Sequence, residues 1–329
     1  MILDCAIIGG GPAGLNAALV VGRGRKQVMI FDDEMPRNRV TQESHGFITN
    51  DGMTPFEIRQ AGEADLQNYP NIQIKRSRIV EIQNHEDNFA LMTQEGERFE
   101  AKKIILATGL QDILPKINGI HDVYGKTLFS CPFCDGWELK DKPLALIAEN
   151  QRALHMAKLL SNWTKDLIVF TNGQQVLAEE EKALLSTHSI QVIDVPIVAI
   201  HHDNGQLHSI HLANGETVKR EGGFVASDFK QSTPFAEKLG CQMTKNGGIE
   251  TDILGRTTVS GIFACGDNLG GPAQLVLAAA AGSQAGMGVI HELVQEEFQQ
   301  KTSLLKEMFS DERFSVLLRR EQSIQKVRR

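Results

Sequence analysis

A glycine-rich turn near the start of the chain constrains the fold more than any other feature of the sequence. It follows the apolar residues 5–8, has the sequence Gly-Gly-Gly-Pro-Ala-Gly over residues 9–14, and precedes a segment of helix-forming composition. This strand–turn–helix order is the setting in which a G-x-G-x-x-G motif binds a dinucleotide. In such a motif Gly9 makes the tight turn, Gly11 admits a pyrophosphate to the backbone, and Gly14 lets helix pack on strand. The alternative is a glycine turn without a ligand.

The next apolar segment supports the same prediction. Residues 28–31 form a second predicted strand, and an acidic residue follows it directly. An acid about 20 positions beyond the glycines accepts a hydrogen bond from a ribose in units of this kind. The sequence therefore predicts a dinucleotide site contacted by Gly9, Gly11, Pro12, Ala13, Gly14 and Asp32.

An internal repeat indicates the domain organisation. Residues 79–109 form predicted hairpin strands closed by an apolar strand, and residues 197–228 repeat the pattern. A second strand–turn–helix begins near residue 144. Residues 261–267 then resume the first module and lead into a helix rich in alanine and glycine, which either approaches a cofactor or packs tightly in the core. We predict an α/β fold with two Rossmann-like nucleotide-binding domains, the first discontinuous: 1–116 and 244–329, interrupted by 117–243.

Two cysteines lie in redox spacing at residues 131–134, Cys-Pro-Phe-Cys. Two intervening residues let the sulfurs meet at a turn or helix start, where the helix dipole lowers a thiol pKa. The acid that follows, Asp135, is placed to carry a proton to and from a thiolate. The alternatives are half of a zinc site or a structural disulfide, but zinc requires paired ligand clusters. The other thiols are scattered singly, at Cys5, Cys241 and Cys265. We predict a redox dithiol and no metal site.

The composition excludes several classes of function. The 329 residues carry 34 basic and 41 acidic side chains, a net charge of −7, which indicates neither a nucleic-acid nor a membrane partner. The longest apolar run, residues 275–281, is far shorter than the ~20 residues of a membrane span. No signal peptide is apparent, and the five cysteines do not suggest a secreted scaffold. We expect a soluble, cytoplasmic protein.

Four motifs occur in an order that resembles the low-molecular-weight thioredoxin reductases, members of the pyridine nucleotide–disulfide oxidoreductases. They are residues 9–14, 107–109 (Ala-Thr-Gly), 131–136 and 261–267, and the resemblance extends over residues 2–293. It implies a homodimer whose FAD domain is interrupted by a smaller pyridine-nucleotide-type domain carrying the dithiol. It also implies that one domain rotates against the other about linkers near Pro115 and Lys245.

The resemblance also implies roles for individual residues. Cys134 corresponds to the cysteine against the flavin, Cys131 to the one that attacks the substrate disulfide, and Asp135 to the acid/base. Asp267 matches the carboxylate that holds the ribityl chain, and Gln274 lies where the family contacts the isoalloxazine ring. The remaining FAD contacts implied by the motifs are Ala107, Thr108, Gly109 and Gly266.

Three features depart from the thioredoxin reductase pattern. The Cys-Pro-Phe-Cys dithiol, together with Ser-His-Gly-Phe at residues 44–47, is closer to gliotoxin-type dithiol oxidases than to the common Cys-Ala-Thr-Cys. The second nucleotide fingerprint, residues 148–153, has the sequence Ala-Glu-Asn-Gln-Arg-Ala and has lost its glycines. Its Glu149 opposes a phosphate, whereas Arg152 is placed to attract one. The charged tail, residues 294–329, is predicted to form a surface helix, with a lid over the flavin as the alternative.

These observations predict an FAD-dependent dithiol/disulfide oxidoreductase for which NADPH is not the reductant. Its expected partners are a thioredoxin-like protein or a small dithiol or disulfide, with ferredoxin or oxygen as candidate electron donor or acceptor. The alternatives are an NADPH-dependent thioredoxin reductase and a flavin-binding redox sensor without turnover. His45 is a further candidate base for an incoming dithiol, since imidazole exchanges protons near neutral pH. The alternative for His45 is a hydrogen-bonded loop histidine.

Overall fold

The computed structural model describes residues 2–86 and 88–308 of the chain. The strands of this part are, in order, β1 (Leu3–Ile8), β2 (Val28–Asp32), β3 (Ile72–Arg76), β4 (Ile79–Asn84), β5 (Phe89–Thr93), β6 (Arg98–Leu106), β7 (Leu110–Ile113), β8 (Leu128–Phe129), β9 (Leu144–Ile147), β10 (Leu167–Phe170), β11 (Gln191–Ile193), β12 (Ile197–Asp203), β13 (Gln206–Leu212), β14 (Thr217–Lys219), β15 (Gly222–Val225), β16 (Asp228–Gln231) and β17 (Ile262–Ala264). The α-helices are α1 (Pro12–Arg23), α2 (Pro55–Leu66), α3 (Ile120–Val123), α4 (Pro132–Asp135), α5 (Ala153–Leu160), α6 (Glu179–Thr187), α7 (Phe235–Lys238) and α8 (Leu275–Met308).

The first sheet combines a parallel half and an antiparallel half. Its strand order is β3-β2-β1-β6-β5-β4, and β17 also pairs with β6. Strands β1, β2, β3 and β17 run parallel to β6, whereas β4 and β5 form an antiparallel extension. Strands β1, β2 and β17 are almost completely buried, as expected where helices cover a sheet, whereas β3 at the edge is partly exposed. Their carboxyl ends meet at one edge, where ligands bind in open α/β sheets.

A second parallel sheet has the order β11-β10-β9-β15-β8. Strands β12, β13 and β14 form a separate antiparallel sheet, which matches the repeat predicted from the sequence. The two parallel sheets confirm the predicted α/β class with two Rossmann-like units.

Two antiparallel strands, β7 and β16, connect the two units. Asp228 of β16 pairs with Ile113 of β7, and Gln231 pairs with Leu110. After β16, Phe235 and other side chains of the chain pack into the core of the first sheet. We therefore propose that the second crossing lies at β16, before the boundary at residues 243–244 that the sequence suggested.

The small residues of α8 allow it to pack closely against α1. A Cβ on Gly282 would lie 2.1 Å from the carbonyl oxygen of Ala13. Asn16 of α1 donates to the Ala279 carbonyl oxygen at 2.7 Å and to Ser283 Oγ at 2.8 Å. Tight core packing thus explains much of the alanine and glycine content, although the start of α8 also reaches the cavity described below.

Helix α8 continues without a break past residue 294, where the charged tail was predicted to begin, and is described as far as Met308. The rest of that tail lies outside the described residues. Over residues 2–86 and 88–308, no helix has the length and apolar character required to cross a bilayer.

Candidate active site

A cavity of about 630 Å³ lies where the carboxyl ends of the parallel strands of the first sheet meet the dithiol segment. This volume falls within the range of roughly 300–1,000 Å³ typical of cofactor sites. Its walls contain all but one of the predicted site residues: His45, Cys131, Cys134, Asp135, Gly9, Gly11, Pro12, Ala13, Asp32, Ala107, Thr108, Gly109, Gly266, Asp267 and Gln274. The structure therefore brings together residues that are more than 260 positions apart in the chain.

The glycine turn after β1 has the shape that a pyrophosphate requires. Gly9 has φ +111°, and a Cβ there would lie 2.3 Å from the carbonyl oxygen of Ala107. Over the described residues, and apart from its two chain neighbours, a Cβ on Gly11 would meet no atom within 4 Å, so the backbone faces open space. Gly11 also caps α1, and no side chain hydrogen-bonds to the first amides of that helix. Uncapped amides at a helix N-terminus are an anion site, and the turn fits a dinucleotide cofactor.

Gly14, the remaining predicted residue, lies outside the cavity lining and supports the turn. A Cβ at this position would lie 1.9 Å from the carbonyl oxygen of Gly9. The third glycine of the motif is therefore required for packing between α1 and the turn.

Asp32, at the end of β2, is buried and hydrogen-bonded. Its Oδ1 accepts from the amide of Gly10 at 3.2 Å, and its Oδ2 lies 3.3 Å from Arg59 Nη1 and 3.1 Å from Arg76 Nη1. These bonds fix the carboxylate beside the glycine turn, where it lines the cavity. The two arginines were not identified from the sequence, because they come from α2 and β3.

Arg37 connects two carboxylates in the cavity wall, and the sequence analysis did not assign it a role. Its Nη1 lies 3.2 Å from Asp112 Oδ1, and its Nη2 lies 3.5 Å from Asp267 Oδ2. Its Nε is buried and has no hydrogen-bond partner among the residues that the structure describes. Burial raises the pKa of Asp267, and the charge of Arg37 opposes this shift. An unsatisfied donor beside Asp267 fits a polar ligand such as the ribityl chain of FAD.

The dithiol is oxidised and lies at the start of a short helix. Cys131 and Cys134 form a disulfide with a Cα–Cα distance of 5.3 Å. Cys131 is the residue that precedes α4, and both cysteines line the cavity. The free cysteines of the described chain are all buried: Cys5, Cys241 and Cys265. No group of three or more potential metal ligands is found among the residues that the structure describes.

Asp135 has the protonation behaviour of an acid/base at neutral pH. Its pKa is raised to about 7, chiefly by burial and further by the charge of Glu138, while His45 acts in the opposite direction. A general acid or base is most effective when its pKa lies near the working pH. Asp135 directly follows Cys134, so the group that can exchange a proton is next to the sulfur in the chain.

Two exposed aromatic side chains lie close to the dithiol in the chain. Phe133 is 62% exposed and Trp137 is 68% exposed. Phe133 makes an edge-on contact with Trp163, with ring centroids 5.9 Å apart, and Lys140 Nζ lies 3.3 Å from the centroid of Trp137. Large exposed aromatic side chains beside a reactive centre are suited to contact with a substrate or partner.

The second nucleotide turn, after β9, is filled by its own side chains. Asn150 Nδ2 donates to the carbonyl oxygen of Ala226 at 2.7 Å and to Asp228 Oδ1 at 3.0 Å. Asn150 Oδ1 accepts from the amide of Arg152 at 3.1 Å. The Asn150 side chain therefore takes the hydrogen bond of a backbone amide, and fills the space, that a pyrophosphate would use in a glycine turn.

Arg152, the one basic residue of this turn, has several partners within the protein. Its guanidinium donates to the carbonyl oxygen of Ser227 and lies 3.7 Å from Asp228 Oδ1. It also stacks over Phe229, 5.4 Å from the ring centroid. A phosphate would have to compete with these contacts to β16 and to the residue before it.

Comparison with known proteins gives a consistent result. A family model described as pyridine nucleotide-disulphide oxidoreductase matches residues 3–282. TrxB from Bacillus anthracis, assigned as a thioredoxin reductase, is 41% identical, with coverage of 90% of this chain and 99% of that chain and a TM-score of 0.87. The structure of HlmI is 30% identical, with coverage of 93% and 97% and a TM-score of 0.88.

A curated relative agrees with these structures. Thioredoxin reductase sirT from Leptosphaeria maculans is 28% identical, and the match covers 92% of this chain and 98% of sirT. The chain therefore belongs to the pyridine nucleotide-disulphide oxidoreductase family and is an oxidoreductase similar to the thioredoxin reductases.

Proposed function

We propose that the protein is an FAD-dependent dithiol/disulfide oxidoreductase that exchanges electrons with a thiol partner through Cys131 and Cys134. The observation that carries this proposal is the position of the disulfide in the wall of the same cavity as the glycine turn. FAD, when bound, supplies a carrier of two electrons. Gly9, Gly11 and Asp267 would hold it, with Arg37 beside the last of these.

The chemistry at the sulfurs is a pair of thiol–disulfide exchanges. In the reducing direction, the Cys131 thiolate attacks one sulfur of the substrate disulfide, and the S–S bond of the substrate breaks as a mixed disulfide forms. The Cys134 thiolate then attacks Cys131, which releases the second substrate thiolate and forms the enzyme disulfide. Each released thiolate takes up one proton, and Asp135 is the proposed source of one of them. The oxidising direction is the reverse of these steps.

The partner is proposed to be a thioredoxin-like protein or a small dithiol or disulfide. The exposed Phe133 and Trp137 are compatible with either, because they offer an apolar contact surface next to the dithiol segment. His45 also lines the cavity, and its role as base for an incoming dithiol is a further proposal.

An anaerobic titration of the purified yellow protein tests this function. NADPH, NADH, reduced ferredoxin and small dithiols are compared for bleaching of the flavin absorbance and for the appearance of two additional thiols. The double variant Cys131→Ser/Cys134→Ser is the control, in which the additional thiols cannot form. Bleaching of the wild-type protein without new thiols would contradict the proposal, and steady turnover of a substrate would exclude a redox sensor.

An NADPH-dependent thioredoxin reductase is the second candidate. It is favoured by the names of relatives such as sirT. The side chains that fill the second nucleotide turn argue against it, and the donor comparison above distinguishes the two.

The released cofactor is expected to be FAD and not FMN. The uncapped amides of α1 suit a pyrophosphate, which FMN lacks. Heat release followed by mass spectrometry identifies the cofactor, and recovery of FMN would contradict the assignment.

Gly11→Val is expected to weaken FAD binding at least about tenfold by displacing a pyrophosphate from the backbone. The variant should stay folded by circular dichroism, since a Cβ at Gly11 meets no atom of the described residues within 4 Å apart from its two chain neighbours.

We also propose that the protein is a cytoplasmic homodimer, as the resemblance implies. Apolar side chains on α8 support self-association: Met287 is 43% exposed, Val294 is 40% exposed and Phe298 is 72% exposed. Light scattering should give twice the chain mass of 36.3 kDa, and a monomer at micromolar concentration would contradict the proposal.

A further inference from the structure

Arg37, which pairs with Asp267 in the cavity wall, lies on a turn that has no buried residue. This turn, residues 37–40, is part of the long connection between β2 and α2. Among the residues that the structure describes, the Nε of Arg37 has no hydrogen-bond partner. The position of the guanidinium group therefore depends on the contacts of its two terminal nitrogens and of its flat face.

Two residues that face each other on the connecting strands provide these contacts. Asp112 of β7 and Phe229 of β16 are directly paired in the ladder, so their side chains lie on the same face. Arg37 Nη1 lies 3.2 Å from Asp112 Oδ1 and 3.5 Å from Asp112 Oδ2. The guanidinium carbon of Arg37 lies 5.6 Å from the centroid of the Phe229 ring, within the range of a cation–π contact. The connecting strands thus hold Arg37 by a charge and by an aromatic ring.

A residue of the second nucleotide turn holds the same strand pair. The guanidinium carbon of Arg152, which precedes α5, lies 5.4 Å from the centroid of the Phe229 ring. Arg152 also donates to the carbonyl oxygen of Ser227, and Ser227 Oγ donates to Asp112 Oδ1 at 3.2 Å. Arg152 therefore reaches Phe229 directly and Asp112 through Ser227. Arg152 and Phe229 themselves lie outside the cavity lining.

We propose that Arg152 and Phe229 are positioning residues of the cofactor site, through which the second nucleotide turn fixes Arg37 and Asp267 at the cavity. The proposal rests on the proposed function, which places FAD in this cavity. Arg152 holds the ring of Phe229, the ring holds Arg37, and Arg37 holds the carboxylate of Asp267. The second turn, which has lost the glycines of a nucleotide site, thereby contributes to retention of the cofactor in the first.

Release of FAD from the full-length holoenzyme tests this proposal, followed as the rise of free-flavin fluorescence after dilution. Phe229→Leu keeps an apolar side chain without the ring and should accelerate release roughly three- to tenfold, as expected for loss of one cation–π contact. Phe229→Tyr keeps the ring and should release FAD at the rate of the wild type. Arg152→Gln should also accelerate release, and Arg152→Lys, which keeps a cation, should restore most of the wild-type rate.

Lys158→Gln provides the matched control, because it removes an exposed cation from α5 and should leave FAD release unchanged. A double-mutant cycle tests whether the effect passes through Arg37. Arg37→Gln should accelerate release by itself, because it removes the contact with Asp267. Addition of Phe229→Leu to Arg37→Gln should then change the rate less than about twofold, because the side chain that the ring positions is already gone.

Unchanged release in both Phe229→Leu and Arg152→Gln would overturn the proposal. Full additivity with Arg37→Gln would also overturn it, because the residues would then act independently of Arg37. Circular dichroism checks the fold of each variant, and if Phe229→Leu does not fold, the same cycle with Arg152→Gln decides the matter. FAD release needs no turnover, so a failure of the proposed function is recognised separately, by a holoenzyme that does not exchange thiols.

Discussion

Replacing either Cys131 or Cys134 with serine is expected to reduce turnover of a disulfide or dithiol substrate by about three orders of magnitude or more. Serine has nearly the same size as cysteine, but its hydroxyl neither forms a disulfide nor ionises near neutral pH. The two sulfurs form one bond in the wall of the cavity, and loss of either partner removes that bond. Turnover is measured with a small disulfide and with its dithiol, under the donor that reduces the wild-type protein best.

The two variants should differ in their spectra even though both are inactive. If Cys134 is the cysteine against the flavin, reduced Cys131→Ser keeps a long-wavelength thiolate–flavin absorbance band and Cys134→Ser loses it. Cys134→Ser, with Cys131 still present, should instead retain a mixed disulfide with the substrate, which mass spectrometry detects. The reverse pattern would exchange the two roles.

Cys241→Ser is the matched control for these variants. Cys241 is buried in the core of the first sheet, away from the cavity, and its Sγ lies 3.5 Å from Thr257 Oγ1. Burial raises the pKa of this thiol, so it is protonated and unreactive near neutral pH. Its replacement should leave the spectra and the thiol exchange unchanged, and a loss comparable to that of Cys131→Ser would show that the effect is not specific to the dithiol.

The parts of the fold and site that could be predicted from the sequence are those set by neighbouring residues. The requirement for glycine at residues 9, 11 and 14 is local. These residues form, in turn, a tight turn, a backbone open to a ligand and a close packing contact, all within six positions. The spacing of Cys131 and Cys134 likewise determines that their sulfurs can meet. The geometry of these features is set by residues close together in the chain, so the sequence pattern was sufficient to place them.

The charged residues that complete the site could not be predicted in the same way. Asp267 was expected in the site from the resemblance, but Arg37 and Asp112, which complete its ion-pair network, are brought to it only by the fold, and no fixed spacing links the three. The pairing of His45 with Glu138 depends on the contact between two units separated in the chain. The pairing of β7 with β16 was also not predicted, because it joins residues more than 100 positions apart. The sequence contained one weak indication of Asp112 as a site residue: it is an acidic residue in a short strand that begins with a buried leucine.

The two nucleotide turns differ in backbone conformation as well as in sequence. Gly9 adopts φ +111°, whereas Ala148 at the equivalent position lies outside the left-handed region. Helix α1 begins at the residue after Gly11, but α5 begins three residues after Asn150. The amides that would bind a pyrophosphate are therefore displaced along the chain in the second turn, in addition to the loss of its glycines.

Glu149 adds an electrostatic cost for a phosphate. Its Oε1 accepts a hydrogen bond from Asn172 Nδ2, which holds the carboxylate between the ends of β9 and β10. Two like charges about 4 Å apart repel by about 4 kcal/mol at an effective dielectric constant of 20, an upper figure for a partly hydrated site. Even a quarter of this, ~1 kcal/mol, weakens binding severalfold before the steric effect of Asn150 is counted.

NADPH at micromolar concentration is therefore expected to reduce the flavin at least about tenfold more slowly than the best alternative donor, because the charge and steric effects add. The triple variant Ala148→Gly/Glu149→Ser/Asn150→Gly restores the glycine pattern and removes the charge, and it should bind NADPH at least about tenfold more tightly. Glu180→Ser, which removes an exposed carboxylate from α6, is the control and should leave NADPH binding unchanged. Both quantities are measured by anaerobic stopped-flow reduction over a range of NADPH concentrations. Rapid reduction of the wild-type protein by micromolar NADPH, faster than by ferredoxin or dithiols, would refute this prediction and establish an NADPH-dependent thioredoxin reductase.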